Sequence, residues 1–198
     1  MFPFYVKRKW NTLWDNRGFL LIFGSVYFLG VIFGLFFRKK AEFNPLCAPV
    51  CEYYFKLFCR ENNSFVMLIR YTAINFVLCV VFLALGFSLY TVPLQGLILL
   101  YRGMILGNVV PVLFSVFGFS SVVIIVIVTI PYQVLSSAGN VVIGVLNIVY
   151  LKSLHYCKRM NKSVLVQNAL CGFVVCFAAC LYQFLVLAIL IRPLSIYL

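Results

Sequence analysis

The chain has 198 residues, of which 65% are hydrophobic and only 10% charged, with a mean hydropathy of +1.09. Soluble domains run nearer half apolar and a quarter charged. The composition therefore excludes a soluble catalytic domain and predicts an integral membrane protein with room for about five spans. The net charge of +12 does not point to nucleic acid: the basic residues flank apolar runs, as topology signals and contacts with anionic membrane lipids do, and nucleic-acid-binding patterns are absent.

Residues 1–17 form a basic, aromatic leader with Lys7, Arg8, Lys9, Trp10, Trp14 and Arg17, a composition that suits an anchor on the cytoplasmic side of the membrane surface. The first span is predicted over 18–37. It is too long for a signal-peptide core and no small-x-small cleavage site follows it, so it reads as an uncleaved anchor. Within it, Gly30 and Gly34 form a G-x-x-x-G pair of the kind that lets a second helix backbone approach closely. Residues 38–64 are the one substantial polar segment. Cys51 to Arg60 reads either as a short amphipathic helix on the membrane surface or as an ordered loop. Cys47, Cys51 and Cys59 share this loop, so a disulfide there requires an oxidising compartment.

A second span is predicted over 66–90, with Arg70 reaching toward the headgroups, Asn75 hydrogen-bonding between helices, and Pro93 closing or kinking the helix. A third covers 94–118. Arg102 lies within it, about 12 Å deep at 1.5 Å per residue, which leaves two readings open: a snorkelling anchor or an intramembrane site. Gly103 and Gly107 repeat the G-x-x-x-G spacing, and Asn108 and Pro111 follow. The fourth run, 120–150, exceeds the length of one span. Pro131, Gln133 and the small-residue stretch Ser136 to Asn140 interrupt it. One kinked, tilted helix is expected, and a re-entrant piece near Gly139, which would make a sixth element, is the competing reading. A basic connector precedes the last span, 164–191.

The expected fold is thus an all-α, polytopic helical bundle of about five transmembrane helices in a single domain, with both the leader and the 152–162 connector inside. Arg38, Lys39 and Lys40 conflict with that orientation, because they place positive charge just outside the first span. The stretch 92–133 stands out: a helical hairpin with an Arg, a glycine pair and a proline.

In order along the chain, several segments resemble the stage II sporulation protein M family. Phe28 to Gly34 is similar to that family's first span. Leu85-Gly86-Phe87-Ser88-Leu89 followed by Pro93 is similar to the end of its second. Tyr101 to Gly107 resembles its basic-glycine segment, Ile130-Pro131-Tyr132-Gln133 its proline-glutamine pair, and Arg192-Pro193-Leu194 its close. Tyr132 splits the Pro-Gln pair, and the first loop is short for the family. The resemblance implies a multi-pass cell-membrane protein of endospore formers. It would act in forespore engulfment at the septal membrane between mother cell and forespore, as a scaffold that localises the peptidoglycan-remodelling partners stage II sporulation proteins D and P.

The residues themselves offer no catalytic machinery. All four acids, Asp15, Glu42, Glu52 and Glu61, lie outside the apolar runs, so intramembrane acid–base catalysis has no carboxylate to use. The lone His155 and the absence of a C-x-x-C pair argue against a zinc site, and no phosphate-cradling loop indicates a cofactor. A non-enzymatic scaffold is expected, with Gly30, Gly34, Arg102, Gly103, Gly107, Pro131 and Gln133 as the interaction residues offered to other membrane-anchored proteins. The alternative is a small channel or permease-type transport subunit with Arg102, Asn108, Gln133 and Asn140 along a polar path.

Overall fold

Long apolar runs in lipid must satisfy every backbone group within the segment, which leaves helices as the spanning form for such sequences. In the computed structural model, which describes residues 11–36, 64–120, 122, 124–157 and 162–186, the runs fold as five helices: α1 (Arg17–Phe36), α2 (Ser64–Leu85), α3 (Val92–Phe117), α4 (Ile130–Cys157) and α5 (Lys162–Val186). Each is long and apolar enough to cross a membrane, and no strand occurs among the described residues. The bundle is all-α, as the composition requires. The leader's Lys7 to Trp10, the Arg38 to Lys40 cluster, the 51–60 segment with its cysteines, Lys158 and Arg159, and Arg192-Pro193 lie outside the described residues.

The turn between α2 and α3 differs from expectation. Helix α2 stops at Leu85, where Gly86 and Phe87 donate to the carbonyls of Leu83 and Ala84 in a tightened last turn. The Thr91 hydroxyl donates to the carbonyls of Leu85 and Ser88, satisfying acceptors that a helix end leaves open. Pro93 therefore does not close the second span. It sits in the first turn of α3, where a missing N–H costs nothing.

Among the described residues the fourth run is broken only at its start. Residues Ile124–Thr129 form a π-helical stretch that leads directly into α4. Pro131 is the second residue of α4, so its absent N–H falls at the change from π to α hydrogen bonding, a usual place for a bend. Helix α4 then continues unbroken through Gly139 to Cys157, which overturns the re-entrant alternative. Proline had a place at the junction, and the small residues serve packing rather than chain reversal.

Helix α4 is the axis of the bundle, with 61% of its spanning window buried against 17% for α1 and 18% for α2. It touches all four other helices, most extensively α5, while α1 packs chiefly on α3 and α2 chiefly on α5. The expected 92–133 hairpin is therefore not a paired unit: consecutive helices α3 and α4 meet less than α3 meets α1. The Lys152 ammonium lies 4.4 Å from the centre of the Phe19 ring, placing the end of α4 and the start of α1 on one side of the bundle.

Candidate functional site: a glycine clasp and a buried arginine on two faces of one helix

Two G-x-x-x-G pairs in one chain can close on each other, and here they do. A Cβ built on Gly34 would lie 2.9 Å from the Gly107 Cα, and one on Gly103 would lie 2.9 Å from the Val31 nitrogen. Gly30 and Gly107 meet the backbone carbonyls of Leu100 and Val31 just as tightly. These approaches are closer than any side chain allows, so α1 and α3 touch backbone to backbone. In lipid, where apolar faces gain nothing by leaving the solvent, such close packing is a main source of helix association. A second, smaller version joins α4 to α5: a Cβ on Gly139 would fall 2.7 Å from the Gly172 carbonyl oxygen.

A second face of α3, about 100° round the helix from Gly103, carries Arg102. Its side chain is only 8% exposed and points inward among α1, α2 and α4. Nη2 donates to Ser136 Oγ at 2.7 Å and to Asn75 Oδ1 at 3.2 Å. Ser136 in turn donates to Asn75 Oδ1 at 2.7 Å. The Asn75 amide donates to the Tyr132 hydroxyl at 3.1 Å and to Cys180 Sγ at 3.3 Å, and Cys176 Sγ donates to the Ser136 carbonyl at 3.3 Å. Four helices thus share one network around a guanidinium. The snorkelling reading of Arg102 is overturned, because its head group is bonded to α2 and α4. The interhelical role expected of Asn75 is observed.

A fixed period places these groups. Gln133, Ser136, Asn140 and Asn147 follow each other by three, four and seven residues, which keeps them on one face of a 3.6-residue helix over about 21 Å. All four are buried. Lower on the stripe, Asn168 donates to Asn147 Oδ1 at 3.3 Å, and Asn147 to the Phe82 carbonyl at 3.4 Å, linking α5, α4 and α2. Gly86 makes room for that amide: a Cβ there would sit 2.8 Å from Asn147 Cγ. Gln95 of α3 and Gln183 of α5 are buried as well.

The sequence-predicted residues thus divide. Gly30, Gly34, Gly103 and Gly107 form one clasp inside the chain, where the expectation had them facing other proteins. Arg102 and Gln133 turn to the interior, joined by Asn108 and Asn140 as buried residues. Pro131, partly buried, belongs to the π–α junction. Sequence reasoning missed Tyr27, Tyr132 and Cys180, whose types read as apolar filler inside a hydrophobic run, and it took Ser136 and Ser137 for packing residues. The three-and-four spacing of polar residues along 133–147 was the available signal. No group of three or more metal-ligating side chains occurs among the described residues.

Fold and site together define a five-helix membrane bundle built round a buried arginine that is bonded to Asn75 and Ser136 and pairs with no carboxylate among the described residues. No protein-family model, curated protein or solved structure matches the chain.

Proposed function

We propose that the chain is a non-enzymatic, multi-pass membrane scaffold of the stage II sporulation protein M kind. In this reading it resides in the cell membrane at the septum round the forespore and holds membrane-anchored peptidoglycan-degrading proteins of the D and P kinds. One observation carries it: the segments at 28–34 and 101–107, which separately resemble that family, meet as a single clasp. Segments far apart in sequence that pack as one unit are what a shared architecture would require. The clasp also relocates the partner surface. With its glycines and Arg102 turned inward, what remains for partners is the outer apolar surface, such as Leu21, Ile22 and Phe28 on α1, all exposed. Co-purification of the tagged chain with candidate D- and P-type proteins tests the reading. Recovery that falls with Phe28→Ser but survives Ser25→Ala supports it, and no recovery with the wild-type chain overturns it.

A second reading, a small channel or permease-type subunit, draws on the buried polar stripe of α4. Solute flux in vesicles containing the purified chain decides it: flux abolished by Asn140→Leu supports it, and tight vesicles remove it.

A further inference from the structure

We infer that the interior beside Arg102 is a binding site for one small monovalent anion of halide or nitrate size. The charge comes first. A guanidinium keeps its charge when buried, and a charge within a membrane-embedded interior needs a countercharge or a dense set of dipoles. Asp15, the one acid among the described residues, is exposed ahead of α1, so no carboxylate there answers Arg102. Its Nη2 is occupied by Ser136 and Asn75, whereas its buried Nη1 has no hydrogen-bond partner within the protein.

Other buried polar groups without hydrogen-bond partners occur on α1 and α4. The Tyr27 hydroxyl lies near Ser137 and Arg102, yet neither it nor the Ser137 hydroxyl makes a well-formed hydrogen bond. Asn140 follows Ser137 by three residues on α4, one turn along the same face. It is fully buried, and both ends of its side-chain amide are without a partner. A guanidinium N–H, two hydroxyls and an amide N–H can all donate to a single acceptor. Buried groups of this kind left unanswered would each cost about 1–3 kcal/mol, and with an unanswered guanidinium N–H beside Tyr27 the ligand that answers them best is an anion.

Size and charge follow from the surroundings. Arg17 and Lys152 are exposed at helix ends and Arg70 on an early turn of α2, so a divalent anion would keep net charge in the interior. Arg102 is buried, bonded to α2 and α4 and flanked by Tyr27 of α1, so a carboxylate on another protein's helix would have to part these helices to reach it. A single-atom or few-atom ion needs no such opening. The site stands whether or not anything crosses the membrane and whatever binds the outer faces.

Thermal unfolding of the purified chain in detergent tests the site, with sodium chloride, bromide or nitrate exchanged for gluconate at constant ionic strength. The wild type is expected to gain about 2–4 °C, saturably, from each small anion and nothing from gluconate. Arg102→Gln abolishes the gain. Tyr27→Phe and Asn140→Leu, which retain the charge, shift the half-saturating concentration upward about tenfold each, and they decide the matter if Arg102→Gln does not fold. Equal unfolding temperatures in chloride and gluconate overturn the proposal. So does a gain that survives in Arg102→Gln, or half-saturation unchanged in both Tyr27→Phe and Asn140→Leu.

Discussion

The two faces of α3 hold the bundle together by opposite means. Toward α1, Gly103 and Gly107 present bare backbone, and nothing polar beyond the peptide groups is needed. Toward α2 and α4, Arg102 reaches across a gap filled by Asn75 and Ser136. The first face works by shape and tolerates no added atom. The second works by hydrogen bonds and tolerates a change in shape but not a stranded charge. The difference bears on the architecture: a clasped, inward-turned helix keeps its glycines and its polar groups for the interior of the bundle.

Substitutions should separate the two faces, beginning with the largest effect. Gly103→Leu must push a branched side chain into the Tyr27 carbonyl and is expected to destabilise by about 3 kcal/mol, read as a lower midpoint in denaturant. Gly24→Leu on the same helix as Gly30, where a Cβ meets nothing within 4 Å, should leave the midpoint unchanged. If both behave alike, the clasp is not where α1 and α3 meet. Gly139→Leu tests the smaller α4–α5 contact. The Cys176 side chain supplies part of that obstruction and can move aside, so a loss nearer 2 kcal/mol is expected. Ser136→Ala removes one acceptor from Arg102 and one donor to Asn75, and should lower stability by about 1–2 kcal/mol. The smallest change is expected from Tyr182→Phe. Its hydroxyl donates to the Ile127 carbonyl at 2.8 Å, in the π stretch, and hydrogen bonds of this kind in membrane proteins average about 0.6 kcal/mol. A larger loss would mean that this bond fixes the π geometry rather than decorating it.

Much of this arrangement could be read from the chain. Five apolar runs gave five helices, because lipid leaves so few alternatives for a backbone. Glycine pairs at 30/34 and 103/107 were visible as close-approach surfaces, but a pair states only that something comes near. That the two pairs choose each other is decided by relative rotation and depth, which no local pattern records. For the same reason the 92–133 hairpin was misjudged: adjacency in sequence suggested pairing, and the glycines sent α3 to α1. Arg102 showed the converse. That all four acids lie outside the apolar runs was legible, whereas the direction of Arg102 depended on Asn75 and Ser136 arriving from other helices. Pro131 marked an irregularity correctly, and the form it took, a π stretch ending at the proline, rests on hydrogen-bond phase. Tyr27 and Tyr132 were illegible, since a tyrosine in an apolar run serves as bulk or as a hydroxyl according to what faces it.

Arg102 is held within the bundle by Asn75 and Ser136. A double-mutant cycle between positions 75 and 102 measures this directly. Asn75→Leu alone leaves the guanidinium short of an acceptor and should cost about 2–3 kcal/mol, while Arg102→Met removes the charge together with its need and should cost far less. The double variant is then predicted to be more stable than Asn75→Leu alone, with a coupling of about 1–2 kcal/mol. Strictly additive losses would contradict the account, because they would mean that the two side chains do not meet in the folded protein.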